Sequence, residues 1–182
     1  MSNKAVYGIA SSHSQAEQVV RDLKNAGFSS NDVSVLFPDK EGTRDFAHEQ
    51  HTKAPEGAAT GAGAGGVLGG GLGWLVGIGA LAIPGLGPFV AAGPIMAALS
   101  GAAIGATVGG VSGALIGMGI PELEAKQYEG KLRAGNILLS VHTENGDEIT
   151  RAKKIFEAAN VTDISSTSES KAPKSERTPN VR

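Results

Sequence analysis

Residues 57–121 contain no Asp, Glu, Lys, Arg or His, yet they hold 21 of the chain's 27 glycines. Within them Gly57, Gly61, Gly65, Gly69, Gly73 and Gly77 recur at every fourth position. After Pro84-Gly-Leu-Gly-Pro88 the same spacing resumes at Gly101, Gly105, Gly109, Gly113 and Gly117. Residues four apart share one face of a helix. Each series therefore predicts a stripe free of side chains, on which a second helix backbone can lie close. The expectation is a glycine-zipper helical hairpin over 57–120, with these glycines as its helix-packing residues.

The length of each arm suits a membrane. Ala62–Ile83 as a helix reaches ~33 Å, against a hydrocarbon core of ~30 Å, and Ile95–Ile120 is longer, with Pro94 in its opening turn. The driving force is modest: Val67, Leu68, Leu72, Leu75, Val76, Ile78, Leu81 and Ile83 together supply about −2.4 to −4.8 kcal/mol before the glycines subtract from it. Two readings follow. In the first, the hairpin docks in or on membrane lipid and self-associates; in the alternative, hairpins from several copies form the shared core of a soluble homo-oligomer. A lone soluble monomer exposing such a surface is excluded, because so large an apolar patch does not stay solvated. A flexible linker is also disfavoured, since Leu68, Leu72, Leu75, Ile104, Val108, Val111 and Leu115 are spread along the segments.

The flanks read as two copies of one βαβ unit. In residues 1–37, Ala5–Ala10 is a short apolar strand, and Ser12 or Ser14 caps a helix burying Ala16, Val19, Val20, Leu23 and Ala26. Gly27 ends that helix in a left-handed conformation, and Asp32–Phe37 is a second strand stopped by Pro38. Residues 38–56 form a polar linker. Within 121–165, Pro121 opens the short helix PELEAKQYEGKLRAG, and Asn136–His142 is a strand. The Gly146-Asp147 turn then starts a helix burying Ile149, Ala152, Ile155, Phe156 and Ala159, and Val161–Ser165 is the closing strand. Residues 166–182, rich in Ser, Pro, Lys and Glu, are expected to be disordered. One such unit cannot cover its own sheet, so the halves should pair. The implied fold class is α+β, a ferredoxin-like split βαβ domain interrupted by the helical hairpin, with the strand at Ile137 between those at Val6 and Val35. If the hairpin is a pure insertion, the halves hold a complete core without it.

Chemistry-bearing patterns are sparse. The chain has no cysteine and a formal charge of −2, which removes thiolate chemistry and argues against a general nucleic-acid binder. Gly61-Ala-Gly-Ala-Gly-Gly66 fits a dinucleotide fingerprint literally, but no strand precedes it and no acid follows until Glu122. His48-Glu-Gln-His51 has two residues between its histidines, which is not the zinc-protease spacing, and offers no third ligand. No catalytic, cofactor or metal residue is therefore assigned, no small-molecule substrate is implied, and an enzyme is not expected. The uncharged turn at 84–88 is cheap to move across a bilayer, whereas Arg44, Lys53, Lys126 and Lys131 stay behind. A membrane-associated protein with cytoplasmic termini follows from the first reading, and a cytoplasmic one from the alternative.

Four stretches carry a resemblance: RDFAHEQHTKAPEGAATGA, GIGALAIPGLGPFVAAGPIMAALSGAA, GIPELEAKQYEGKLRAGNILLSVH and DISST. The chain resembles the bacterial general-stress, or low-temperature-induced, protein family with a glycine-rich central hydrophobic region. That resemblance implies a stress-induced, membrane-associated protein without established enzymatic activity, and it transfers no catalytic residues.

Overall fold

Runs of branched and aromatic residues at each end of the chain are long enough to cross a sheet. In the computed structural model they become β1 (Lys4–Ala10) and β5 (Ile137–Thr143), which pair antiparallel from Lys4↔Thr143 to Ala10↔Ile137. The structure describes residues 4–39, 72, 74–75, 78–83, 86–96, 98–99 and 110–168. The remaining strands are β2 (Val33–Pro38), β3 (Gly79–Ile83), β4 (Gly87–Ala92) and β6 (Thr162–Ser168). All six lie in one antiparallel sheet ordered β3-β4-β2-β5-β1-β6, so the protein is α+β. β5 lies between β1 and β2, as expected for two interleaved halves.

Period-two alternation gives each strand two apolar faces. Val6, Ala10, Val33, Val35, Phe37, Val90, Ile137, Leu139 and Val141 face one way, into a first core. Helix α1 (His13–Asn25) covers that face with Ala16, Val19, Val20 and Leu23, and helix α4 (Gly146–Ala158) covers it with Ala152 and Phe156. Their ends are set by local chemistry. Ser12 accepts from the Gln15 N–H at 3.3 Å, and Gly27 takes φ 88 after α1. At α4, Asn145 accepts from the Glu148 N–H at 2.9 Å, while Glu148 accepts from the Glu144 N–H at 2.7 Å, a reciprocal capping arrangement. Gly8 allows the close approach of α4: a Cβ there would lie 2.5 Å from Val161 Cγ1 and 2.8 Å from Phe156 Cδ2.

The opposite face carries Ala5, Tyr7, Ile9, Leu36, Phe89, Ala91 and Leu138 into a second core. Its cover comes from Ile95, Leu99, helix α2 (Gly110–Gly117) with Val111, Ala114 and Leu115, then Ile120, and helix α3 (Glu122–Arg133) with Ala125, Tyr128 and Leu132.

Two expectations are corrected here. The helix expected over Ala62–Ile83 is, at its end, the strand Gly79–Ile83, and the Pro84–Pro88 break joins β-strands rather than helices. The cause is pairing demand: β2 would otherwise leave one long edge open beside a buried apolar face, and β4 fills it from Val35↔Ala92 to Pro38↔Phe89. Phe89-Val-Ala-Ala92, bounded by Pro88 and Gly93-Pro94, has strand length and continuous apolarity, a signal that helical spacing of glycines does not override. Second, residues of 57–120 contribute to both cores of the domain they interrupt. Leu72 and Leu75 join the first core, and Ile83, Phe89, Ile95, Leu99, Val111 and Leu115 join the second. Of the second expected arm, Ile95–Ile120, the structure describes a helix at Gly110–Gly117; residues 101–109 lie outside the described residues. So do residues 40–71, with Arg44, His48, His51, Lys53 and Gly61–Gly66, and the tail from Glu169 onward. The closing strand itself runs to Ser168.

Candidate functional site

The insertion docks on the sheet through one backbone corner. Gly93, at φ 76, lies against β2 so closely that a Cβ would land on the Val33 carbonyl oxygen and 3.0 Å from Ser34 Cα. Buried Ser34 accepts from the Ile95 N–H at 3.2 Å, which fixes where the chain leaves β4 to cover the second face.

Helix α2 brings the chain back. Val111, Ala114 and Leu115 turn into the core, whereas Ile116 is 42% exposed. Gly113 and Gly117, two of the expected helix-packing residues, have nothing within 4 Å of an added Cβ. No second backbone lies against either glycine among the described residues. Gly57, Gly61, Gly65, Gly69, Gly73, Gly77, Gly101, Gly105 and Gly109 lie outside the described residues. Leu123, in the first turn of α3, is also strongly exposed; it and Ile116 are the large apolar side chains left uncovered among the described residues.

Glu129 ties α2 to α3. Its carboxylate accepts from the Ser112 N–H at 3.2 Å, in the first turn of α2, and from Arg133 Nη2 at 2.7 Å. Burial pushes the Glu129 carboxyl up, but the Ser112 and Arg133 hydrogen bonds outweigh it and hold the group below the usual carboxylate range. A carboxylate at a helix N-terminus also meets the positive end of the helix dipole. On the outer surface of α3, Lys126 donates to Glu122 at 2.6 Å, which lowers the Glu122 carboxyl and raises the Lys126 ammonium.

The other side of α3 forms a polar seam with β6. Tyr128 Oη donates to the Asp163 carbonyl at 2.9 Å and lies 2.8 Å from Ser165 Oγ. Gln127 donates to Asp163 Oδ1 at 2.6 Å, and Lys131 Nζ lies 3.4 Å from Asp163 Oδ2. Burial pushes the Tyr128 phenol up to about 12; Ser165 opposes that shift, and the Glu124 and Asp163 charges add to it. One Glu124 oxygen and the Thr167 hydroxyl are buried without a hydrogen-bond partner among the described residues. A cleft of about 470 Å³ opens on the far side of the molecule, between α1 and α4, and Asp22, Asp147, Arg151 and Lys154 are among its lining residues. Arg151 stacks over Phe28 at 5.4 Å, so part of its surface serves packing. Charges of both signs line the cleft without a nucleophile paired to a base. No group of three or more His, Cys, Asp or Glu could hold a metal among the described residues.

Sequence reasoning missed Tyr128, Glu129 and Asp163. The signal available for Tyr128 was the Ala125, Tyr128, Leu132 stripe on PELEAKQYEGKLRAG, and for Glu129 the fourfold spacing to Arg133. Comparison with family models, with curated proteins and with solved structures finds no match for this chain. Among the described residues, no helix is long and apolar enough to cross a membrane.

Proposed function

We propose that this is a non-enzymatic structural protein that works as a homo-oligomer, its uncharged insertion joining copies through apolar, glycine-bearing surfaces. The observation that carries the reading is the outer face of α2, where exposed Ile116 stands beside the open Gly113 and Gly117. That face continues a stretch, residues 57–121, with no charge to keep it in water. We read the β2-β5-β1-β6 order, with α1 and α4 on one face, as a ferredoxin-like split βαβ domain whose β2–β5 connection has grown into β3, β4 and α2. The insertion is then part of the domain that presents it, which favours assembly over a separate anchor. The resemblance to general-stress proteins supplies the setting: a scaffold made when cells are stressed.

A second reading keeps the insertion in or on a membrane, with cytoplasmic termini. It is favoured by the uncharged length of residues 57–121 and by the flanking Arg44, Lys53, Lys126 and Lys131. Sedimentation of the full chain in detergent-free buffer, with flotation on phospholipid vesicles, decides between them. A discrete oligomer that stays below the vesicles is the expected result. A protein that floats with the vesicles transfers the case to the second reading, and a stable monomer that does not float overturns both.

A further inference from the structure

The two edges of the sheet are built for opposite fates. At one edge β6 reads Thr-Asp-Ile-Ser-Ser-Thr-Ser, and its pairing with β1 slips register between Tyr7 and Ile9. Asp163 takes φ 51, its carbonyl accepts from Tyr128, and its carboxylate is held by Gln127 and Lys131. Charge, a register break and side chains reaching over from α3 all make that edge a poor template for another strand. At the other edge β3 reads Gly-Ala-Leu-Ala-Ile, without charge or proline. Its register with β4 is unbroken from Gly79↔Ala91 to Ile83↔Gly87. Ala80 is exposed, and no strand lies beyond β3 among the described residues. Alternate residues of such a strand turn their N–H and C=O outward, where they are satisfied by water or by a further strand.

We propose that β3 pairs antiparallel with β3 of a second copy of this chain about a two-fold axis, joining two sheets into one. The proposal rests on the homo-oligomer reading and adds a strand-edge interface to the α2 face. A two-fold centred on Leu81 sets Leu81 opposite itself, Ala80 opposite Ala82 and Gly79 opposite Ile83. Like meets like in an isologous contact, so a charged strand would repel its own copy. β3 carries no charge, and neither does β4 behind it, Gly-Pro-Phe-Val-Ala-Ala. A partner recognised by charge has nothing to read here, whereas the same chain supplies an identical neutral strand. The same pairing at β6 would bring two copies of Asp163 toward each other.

The chain has no cysteine, so Leu81→Cys gives a single thiol. Directly opposed residues on antiparallel strands come close enough for a disulfide with small adjustment. Oxidation of full-length Leu81→Cys should yield covalent dimer, while Ser166→Cys, at an exposed position of β6, should remain single-chain. Ala80→Lys places a guarding charge on the outer edge of β3, and its mass by light scattering should fall below that of the parent. Circular dichroism checks that both β3 variants keep the fold, and the conservative Leu81→Cys carries the test if Ala80→Lys loses it. The proposal is overturned if the parent is an oligomer but Leu81→Cys cross-links no faster than Ser166→Cys. Self-association then runs through another surface, and the homo-oligomer reading stands. A parent chain that is monomeric in plain buffer overturns both.

Discussion

The sheet has two covered faces, and they are covered by different kinds of sequence. The first face is closed mainly by α1 and α4, each following a strand within its own βαβ half. The second is closed by residues of the uncharged insertion, Ile95, Leu99, Val111 and Leu115, together with α3. The halves alone therefore make a sheet with one covered face and one covered only by α3. Antiparallel sheets tolerate that arrangement when the exposed face is polar. Here the second face presents Ala5, Tyr7, Ile9, Leu36 and Leu138, so it is apolar and must be covered. The described residues of the insertion are thus part of that domain's interior.

The sharpest way to break this comparison is to remove one cover. Replacing residues 57–120 by a short Gly-Ser linker deletes Ile83, Phe89, Ala91, Ile95, Leu99, Val111, Ala114, Leu115 and Ile120 from the second core. Fully burying one large apolar side chain contributes roughly 1.5–3 kcal/mol, and a domain's whole stability is about 5–15 kcal/mol. The deleted chain should therefore show no cooperative thermal transition and poor amide dispersion. A soluble, cooperatively melting product would restore the simple picture of an independent domain interrupted by a hairpin.

A single methyl group tests the same boundary more gently. Gly93 and Gly27 both have left-handed backbone, at φ 76 and φ 88, but only Gly93 is pressed against another strand. Gly27→Ala meets open space and should cost about 1–2 kcal/mol, the conformational penalty alone. Gly93→Ala adds a collision with the Val33 carbonyl and Ser34, and should cost more than about 3 kcal/mol. Urea denaturation of the two variants measures the difference. Equal costs would mean the corner at Gly93 is free to shift, and that the insertion is loosely seated.

The first face was readable from sequence because its signals are local. Ser12, Gly27 and the Ala16, Val19, Val20, Leu23 stripe define α1 without reference to anything distant. The second face was not, because its determinants are tertiary. Gly79–Ile83 becomes a strand through β4, and β4 does so through β2, so the pairing decides the conformation. Fourfold glycine spacing argued for helix over this segment, yet a short apolar run bounded by proline and glycine fits either state. The polar contacts were equally remote: Ser112 lies 17 residues from Glu129, and Tyr128 lies 35 from Asp163. Only the α3 stripe hinted that Tyr128 points inward, and nothing in the sequence says that its hydroxyl meets β6.

The smallest expected effect sharpens the comparison at that seam, where α3 of the second cover meets the sheet edge. Tyr128→Phe removes the hydroxyl bonded to the Asp163 carbonyl and Ser165. At neutral pH this should cost roughly 1–2 kcal/mol, since a net hydrogen bond contributes about 1 kcal/mol and its partners are left part-buried. The pH dependence is the more specific reading. The folded phenol is pushed up to about 12, chiefly by burial, from its ordinary value of 10.0. Below pH ~10 the phenol is neutral in both states and its contribution is constant. Between about 10 and 12 the unfolded chain releases that proton first, so stability falls as pH rises, by about 1.4 kcal/mol per unit and about 2–3 kcal/mol in all. Tyr128→Phe lacks this loss. The stability gap between parent and variant should shrink above pH ~10 and close or reverse by about 12. Urea midpoints taken across that range measure it, and a gap that stays constant would show that the fold does not hold the phenol neutral.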